Sequence, residues 1–325
     1  MVDMTGKRLT ALVCTAVLLL GIAGCGKTSD GPSGGLSVLT IGTADSGGTM
    51  YPVGSAIAET LSSDTRKINV SASYGSYMNI RNLASGEIDL GLVSGDTAYD
   101  AYCDPEGSGS SLRAIAAVFN SASTWVAPVS TGATYVHDIK DLRIGVGPEG
   151  STTECSAQAA IQALGLDETE TQVFNCGLGA GTDLVLAGEL DAIHGFAGQP
   201  ISAFTKLTQQ SSCRVLQYTE EELDRILASN PYFTPAVVPA GTYEGQTEDV
   251  ATFGAKCLLC VNADMDEELV YELTKALWEA RDTLTQAHPA MKDMEDGQFL
   301  YQDLSIPLHP GAQRFYEELA AAQTS

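Results

Sequence analysis

The sequence predicts an α/β fold with largely parallel sheets. Short apolar runs alternate with stretches of helical spacing along much of the chain, and several of the runs lead into loops rich in Gly, Ser and Thr. Length adds a third observation, since 325 residues bury a sizeable core and often split into two lobes. Residues 36–43 are strand-like, and residues 51–61 carry Val53, Ile57, Ala58 and Leu61 on one helical face. Residues 68–73 return to a strand and residues 78–84 to a helix. Residues 88–93, 112–118, 143–147 and 172–174 read as further strands. Residues 153–164, 182–187, 220–227 and 267–285 read as helices. In such sheets ligands sit beyond the carboxyl ends of the strands, where loops lead into helix N-termini.

Ahead of the first strand, Lys7 and Arg8 precede an apolar stretch over residues 9–23 that runs into Ile22-Ala23-Gly24-Cys25. A basic flank, an apolar segment too short to span and small residues before a cut describe an exported leader. The Cys directly after them resembles a bacterial lipoprotein lipobox. That resemblance implies a signal peptide over residues 1–24 and a lipid on Cys25, placing the protein outside the cytoplasmic membrane and anchored to it. An ordinary signal peptide with a chance Cys is the alternative. Residues 25–36, rich in Gly, Ser and Pro, read as the lipidated Cys and a flexible tether.

Against 17 Lys and Arg stand 41 Asp and Glu, a formal charge of −24. Nucleic acid demands a basic footprint, so it is excluded as a partner. The same acidity argues against a polybasic membrane patch and leaves the lipid as anchor. His137, His194, His288 and His309 are scattered without ligand spacing, which predicts no metal, and no cofactor is expected. His194 follows an apolar run and reads as a satisfied, partly buried histidine. Of eight cysteines, Cys14 leaves with the leader and Cys25 is lipidated. The other six allow fifteen full pairings. Cys155, in the first turn of a helix, and Cys176, at the end of the next strand, are expected to form a disulfide. Cys257-Leu-Leu-Cys260 sits in an apolar run and reads as buried strand, not as a redox pair at a helix start.

Four loops share one chemistry: residues 43–52, 74–79, 94–96 and 148–153. Glycines let backbone approach a ligand, hydroxyls and amides supply neutral donors and acceptors, and helix starts favour an anion. The expected contacts are Gly48, Thr49, Tyr51, Ser76, Asn79, Ser94 and Asp96. Ser151, Thr152, Thr153, Gly198 and Gln199 are expected to face them. None of these loops carries Lys or Arg, so a small carboxylate would be held by amides and hydroxyls. Asp96 would repel a second carboxylate unless it pairs with a ligand amine, which favours an amino acid over a plain diacid.

At these residues the chain resembles the TAXI group of solute receptors that serve TRAP transporters. The stretches that carry it are Ile41-Gly-Thr-Ala-Asp-Ser-Gly-Gly-Thr-Met-Tyr-Pro-Val-Gly54 and Gly75-Ser-Tyr-Met-Asn-Ile-Arg-Asn-Leu-Ala-Ser-Gly-Glu-Ile-Asp-Leu90. Others are Ser94-Gly-Asp-Thr-Ala-Tyr99, Gly145-Val-Gly-Pro-Glu-Gly-Ser-Thr152, Ala240-Gly-Thr-Tyr243 and Ile306-Pro-Leu-His-Pro-Gly-Ala312. The resemblance implies a two-lobed periplasmic-binding-protein fold, type II-like, that closes by a hinge. It sets residues 37–127 and 230–325 as lobe I and residues 128–229 as lobe II. It also implies glutamate or a related dicarboxylate as ligand, a monomer, and the membrane subunits of a TRAP transporter as partner. Met50 stands where the family commonly has a second Tyr, and the loop Phe196-Ala-Gly-Gln-Pro200 departs from the glycine-rich pattern.

Three other readings remain open on the residues. A receptor for an ABC importer, or a ligand sensor, would use the same fold. A hydrolase or lyase would need Asp45 or Asp96 as general acid or base, yet the sequence offers them no catalytic company, so no enzyme is expected. Gly145-Val-Gly-Pro-Glu-Gly150 fits the dinucleotide pattern GxGxxG, but Pro148 occupies the turn. Replacing Cys25 with Ala is expected to release the protein from the membrane fraction; retention together with an unlipidated N-terminal peptide by mass spectrometry would refute the anchor.

Overall fold

A computed structural model describes residues 36–166 and 171–323. The leader, Cys25 and the tether lie outside the described residues. The chain begins with β1 (Ser37–Gly42), α1 (Met50–Leu61), β2 (Arg66–Ser71), α2 (Ser76–Ser85), β3 (Leu90–Ser94) and α3 (Gly95–Cys103). A long strand, β4 (Leu112–Pro128), leads to β5 (Arg143–Gly145), α4 (Thr152–Ala163), β6 (Gln172–Phe174), α5 (Leu178–Leu186) and β7 (Ala192–Ala197). Then come α6 (Ser202–Gln210), β8 (Cys213–Val215), α7 (Glu220–Leu227), β9 (Thr234–Val238) and a second long strand, β10 (Val250–Asn262). Helices α8 (Glu267–Glu279), α9 (Arg281–Ala287) and α10 (Pro310–Gln323) close the chain. None of the described helices is long and apolar enough to cross a membrane.

The strands lie in the order β2-β1-β3-β10-β4-β7-β5-β6, with β8 beside β4 and β9 beside β10. Strands β2, β1 and β3 pair in parallel, as do β6, β5 and β7, which meets the α/β expectation for each outer group. Between them β4 and β10 run antiparallel to each other and to their neighbours. One carries the chain from the first lobe to the second and the other brings it back, so their directions oppose. Sequence periodicity ends β4 near Val118, because Asn120-Ser-Ala-Ser-Thr124 looks like a loop. In the fold Ser121, Ser123 and Thr124 are buried in the strand, and the Thr252 hydroxyl donates to the Ser123 carbonyl at 2.7 Å. Satisfied hydroxyls are what make a polar stretch tolerable there.

Each lobe has its own core. In the first, Ile41, Ile57, Phe119, Leu273 and Met291 pack together. In the second, Trp125, Ile144, Ala157, Phe196 and Phe253 form one cluster, and Val126, Ile193, Phe204, Val238 and Tyr243 another. Phe233 packs in the cluster of Trp125, and Val238, Tyr243 and Val250 in that of Val126, whereas the resemblance places residues 230–325 in lobe I. Pairing of β9 with the start of β10 keeps them there. Cys257 and Cys260 are both buried in β10, as their apolar run predicts.

Between the lobes, Gly254 of β10 pairs with Ala122 of β4. A Cβ at Gly254 would overlap the Ser121 carbonyl oxygen, backbone that cannot swing aside. Gly254→Ala is therefore expected to cost about 1–3 kcal/mol of stability, the scale of overpacking, as read by urea denaturation. An unchanged midpoint would show that the strands part there without cost.

Candidate functional site

The carboxyl ends of the parallel strands feed helix starts that converge on one space between the lobes. The β1–α1 connection contributes Asp45, Gly48, Thr49 and Met50, and the turn into α2 contributes Tyr74, Gly75 and Ser76. From the facing lobe come Pro148, Ser151, Thr152 and Thr153 at the start of α4, with Leu178 at the start of α5. Phe119 and Ser121 of β4 and Phe196 and Ala197 of β7 form the base. The cleft offers about 50 Å³ to the centre of a water-sized sphere.

Four helix N-termini therefore face this space. No side chain caps α1, α2 or α5, while Ser151 accepts from the Glu154 amide at 3.2 Å to cap α4. Uncapped first-turn amides and the helix dipoles make such a place favourable to an anion. Among the described lining residues the charged one is Asp45, whose Oδ1 accepts the Gly47 N–H at 2.7 Å. Its other oxygen lies against the backbone that opens α5: a Cβ on Gly177 would sit 2.7 Å from it. The cleft combines donors for an anion with one carboxylate for a cation.

Direct bonds draw the lobes together. Thr49 donates to the Gly198 carbonyl at 2.5 Å, and the Ser202 hydroxyl and Ala203 amide donate to the Gly47 carbonyl at 2.9 and 3.1 Å. Thr152 donates to Ser76 Oγ at 2.7 Å, and that oxygen also accepts the Ser94 amide at 3.0 Å. Both acceptor positions of Ser76 are thereby filled and its own proton is left to offer.

Of the expected contacts, Gly48, Thr49, Ser76, Ser151, Thr152 and Thr153 line the cleft. The other six do not. Tyr51 is exposed on α1. Asn79 is fully buried: Nδ2 donates to the Thr43 and Leu92 carbonyls, each at 2.8 Å, and Oδ1 lies 2.8 Å from Ser73 Oγ. It ties the ends of β1 and β3 together and has nothing left for a ligand. Ser94 donates to Asp96 Oδ1 at 2.5 Å beneath the cleft, and burial pushes the Asp96 carboxyl up to about 6. Gly198 serves the opposite lobe through its carbonyl. Gln199 donates to Thr124 Oγ1 and the Ala197 carbonyl, both at 3.0 Å, and accepts from Tyr243 at 2.5 Å.

The expected Cys155–Cys176 bridge is not formed, and both thiols are free. Cys155 Sγ turns toward Tyr77 of α2, 4.0 Å from its hydroxyl. Cys176 Sγ instead fills the niche between Gly145 and Gly181, where a Cβ on either would lie 3.2 or 2.9 Å from the sulfur. Burial raises both thiol pKa values, so neither is an activated nucleophile. Sequence reading misses the apolar base: Phe119 falls just beyond the strand read over residues 112–118, and Phe196 opens the loop Phe196-Ala-Gly-Gln-Pro200 without being among the expected contacts. From sequence, Asp45 reads only as a candidate hydrolytic group.

The NMT1-like family matches residues 41–319. Among solved structures, a protein from Bordetella bronchiseptica aligns over 87% of this chain and 98% of its own, with TM-score 0.56 and 14% identity. PhnD1 from Prochlorococcus marinus, in complex with methylphosphonate, aligns over 89% of this chain and 98% of its own, with TM-score 0.55 and 14% identity. The ligand-binding component of an ABC-type import system from Staphylococcus aureus, with zinc bound, gives TM-score 0.50 and 12% identity over 89% and 93%. The fold is the two-lobed one of periplasmic binding proteins.

Asp96 makes a pH prediction. Its folded pKa is raised to about 6, so its contribution is most favourable at low pH and is lost as pH rises toward and through that value. Asp96→Asn keeps an oxygen for Ser94 and removes the buried charge. It is expected to raise stability at pH 7.5 by on the order of 1–3 kcal/mol, with the gain vanishing by pH 4. Thermal melts of both proteins across that range would expose a flat difference, which would contradict the burial of a charged Asp96.

Proposed function

The chain belongs to the NMT1-like family, and on that premise we propose that it is a solute-binding receptor acting outside the cytoplasmic membrane, handing a small ligand to a membrane importer. One observation carries the ligand class: among the described residues, four helix starts and the single carboxylate of Asp45 line one cleft without a cation. A ligand carboxylate meets uncapped amides and the free Ser76 proton, while a ligand ammonium meets Asp45. Glutamate or glutamine fits this better than a plain diacid, whose second carboxylate Asp45 would repel. The role first given to Asp96 passes to Asp45. A hydrolytic reading is weaker, because Asp96 lies beneath the cleft and Asp45 has no partner group for acid–base work.

Lobe I then spans residues 37–121 and 255–325, and lobe II residues 122–254, with the crossing where Ala122 pairs with Gly254. The lipid on Cys25 would hold the receptor beside its importer. We take an ABC-type importer as the partner, a reading supported by the like-folded ligand-binding component of Staphylococcus aureus. The TRAP type is the second reading, favoured by the ordered stretches from Ile41 to Ala312. An adjacent gene for an ATPase supports the first, and one for a fused multi-span transporter the second.

Calorimetry with glutamate, glutamine and succinate tests the ligand. The amino acids are expected to bind more tightly than succinate. Asp45→Asn should weaken them by about 1.5–3 kcal/mol, the scale of a hydrogen bond to a charged group, without weakening succinate. Tighter binding of succinate to the unaltered protein would sink the role of Asp45, and no binding by any of the three would reject the ligand class.

A further inference from the structure

Under the second lobe's side of the cleft runs a chain of hydrogen bonds whose direction is set by its ends. Trp125 Nε1–H can only donate, and it donates to the Tyr218 hydroxyl at 2.8 Å. The Thr153 carbonyl can only accept, and it takes the His194 Nδ1–H at 3.1 Å. Between them Tyr218 donates to Ser123 Oγ and Ser123 donates to His194 Nε2, both at 3.0 Å. With the Nδ1 proton given to Thr153, a neutral imidazole has Nε2 left to accept from Ser123. Burial agrees, since it pushes the His194 pKa down to about 3. Ser123, Trp125, His194 and Tyr218 are all buried, and every polar atom in the chain has a partner.

We propose that His194 is a positioning residue for the ligand: it holds the first turn of α4, residues 151–153, at the height from which these residues reach the cleft. This rests on reading the cleft as the ligand site. The first N–H groups of a helix have no internal partner, and of the bonds to the Thr153 carbonyl that from the Ser156 hydroxyl at 3.1 Å is local to α4 while that from His194 comes from another element. Here Thr153 lines the cleft and gives its carbonyl to His194, and Thr152 beside it reaches across to Ser76. His194 is itself anchored on β7, paired with Trp125 of β4, with ring centroids 4.5 Å apart. Two residues along β7, on the same face, Phe196 forms part of the cleft base. The strand that walls the cleft thus also props the loop opposite.

Two substitutions separate positioning from bulk. His194→Phe keeps a ring against Trp125 and removes both bonds; His194→Gln can again donate to Thr153 and accept from Ser123. In ligand-free protein, amide exchange over residues 151–157, read by mass spectrometry, should quicken about 3- to 30-fold in His194→Phe and return toward the unaltered rate in His194→Gln. L-glutamate affinity by calorimetry should follow the same order. Ile144→Val, in the same core but without a polar atom, serves as control: a lowered Tm with unchanged exchange at residues 151–157. Unchanged exchange in His194→Phe, or equal quickening in both His194 variants, overturns the proposal. If the unaltered protein does not bind glutamate, the ligand reading fails on its own, and the exchange result decides the role of His194.

Discussion

The ladder between β4 and β10 has to satisfy its own backbone groups while carrying the chain out of one lobe and back into it. Its pairs run from Leu112 and Asn262 in the first lobe to Ala122 and Gly254 between the lobes, with register shifts on either side of Leu258 and Leu259. On one flank lie the parallel strands of the first lobe and on the other those of the second. Every helix start in the cleft takes its position from strands anchored on this pair. Bending must be absorbed where pairing to the flanking strands changes hands, and small residues such as Ala122 and Gly254 stand there.

The cleft reaches its chemistry with few charges. Lining a cleft with amides and hydroxyls spares the protein the desolvation of a lysine or arginine, which is costly in a space walled by Phe119, Phe196 and Leu178. The same economy makes the one carboxylate influential, because none of the described lining residues is a cation that would neutralise Asp45. Selectivity in such a site comes from what a ligand would leave unpaired.

Much of the fold is legible in the sequence, since the outer strands are short and carry continuous apolar runs bounded by turns. β6 and α7 fall on the residues that periodicity assigns, and β1 and α1 within a residue or two. β4 is cut short because serines and threonines in a buried strand look like a loop until their partners are known. Helix α5 begins four residues earlier than its periodicity suggests: Gly177, Gly179 and Gly181 argue against a helix, yet they admit Asp45 and Cys176 at close range. For the site, the right loops are visible but not the direction of each side chain. Asn79 and Thr152 both belong to glycine-rich turns. One is spent on carbonyls beneath the strands and the other opens to the cleft, a difference set by contacts more than ten residues away in sequence.

The lobes meet backbone to backbone. A methyl at Gly47 would lie 2.7 Å from the Gly179 amide nitrogen, and one at Gly177 equally close to Asp45. These glycines act as a doorstop of zero thickness, so their lack of side chains sets how far the door swings shut. Thickening it would lower the fraction of molecules in the shut form, with which apparent affinity scales, and would at the same time displace the Asp45 carboxylate. Closure and recognition therefore meet at Asp45: the glycines that set how far the lobes shut also press on the carboxylate proposed to meet a ligand ammonium.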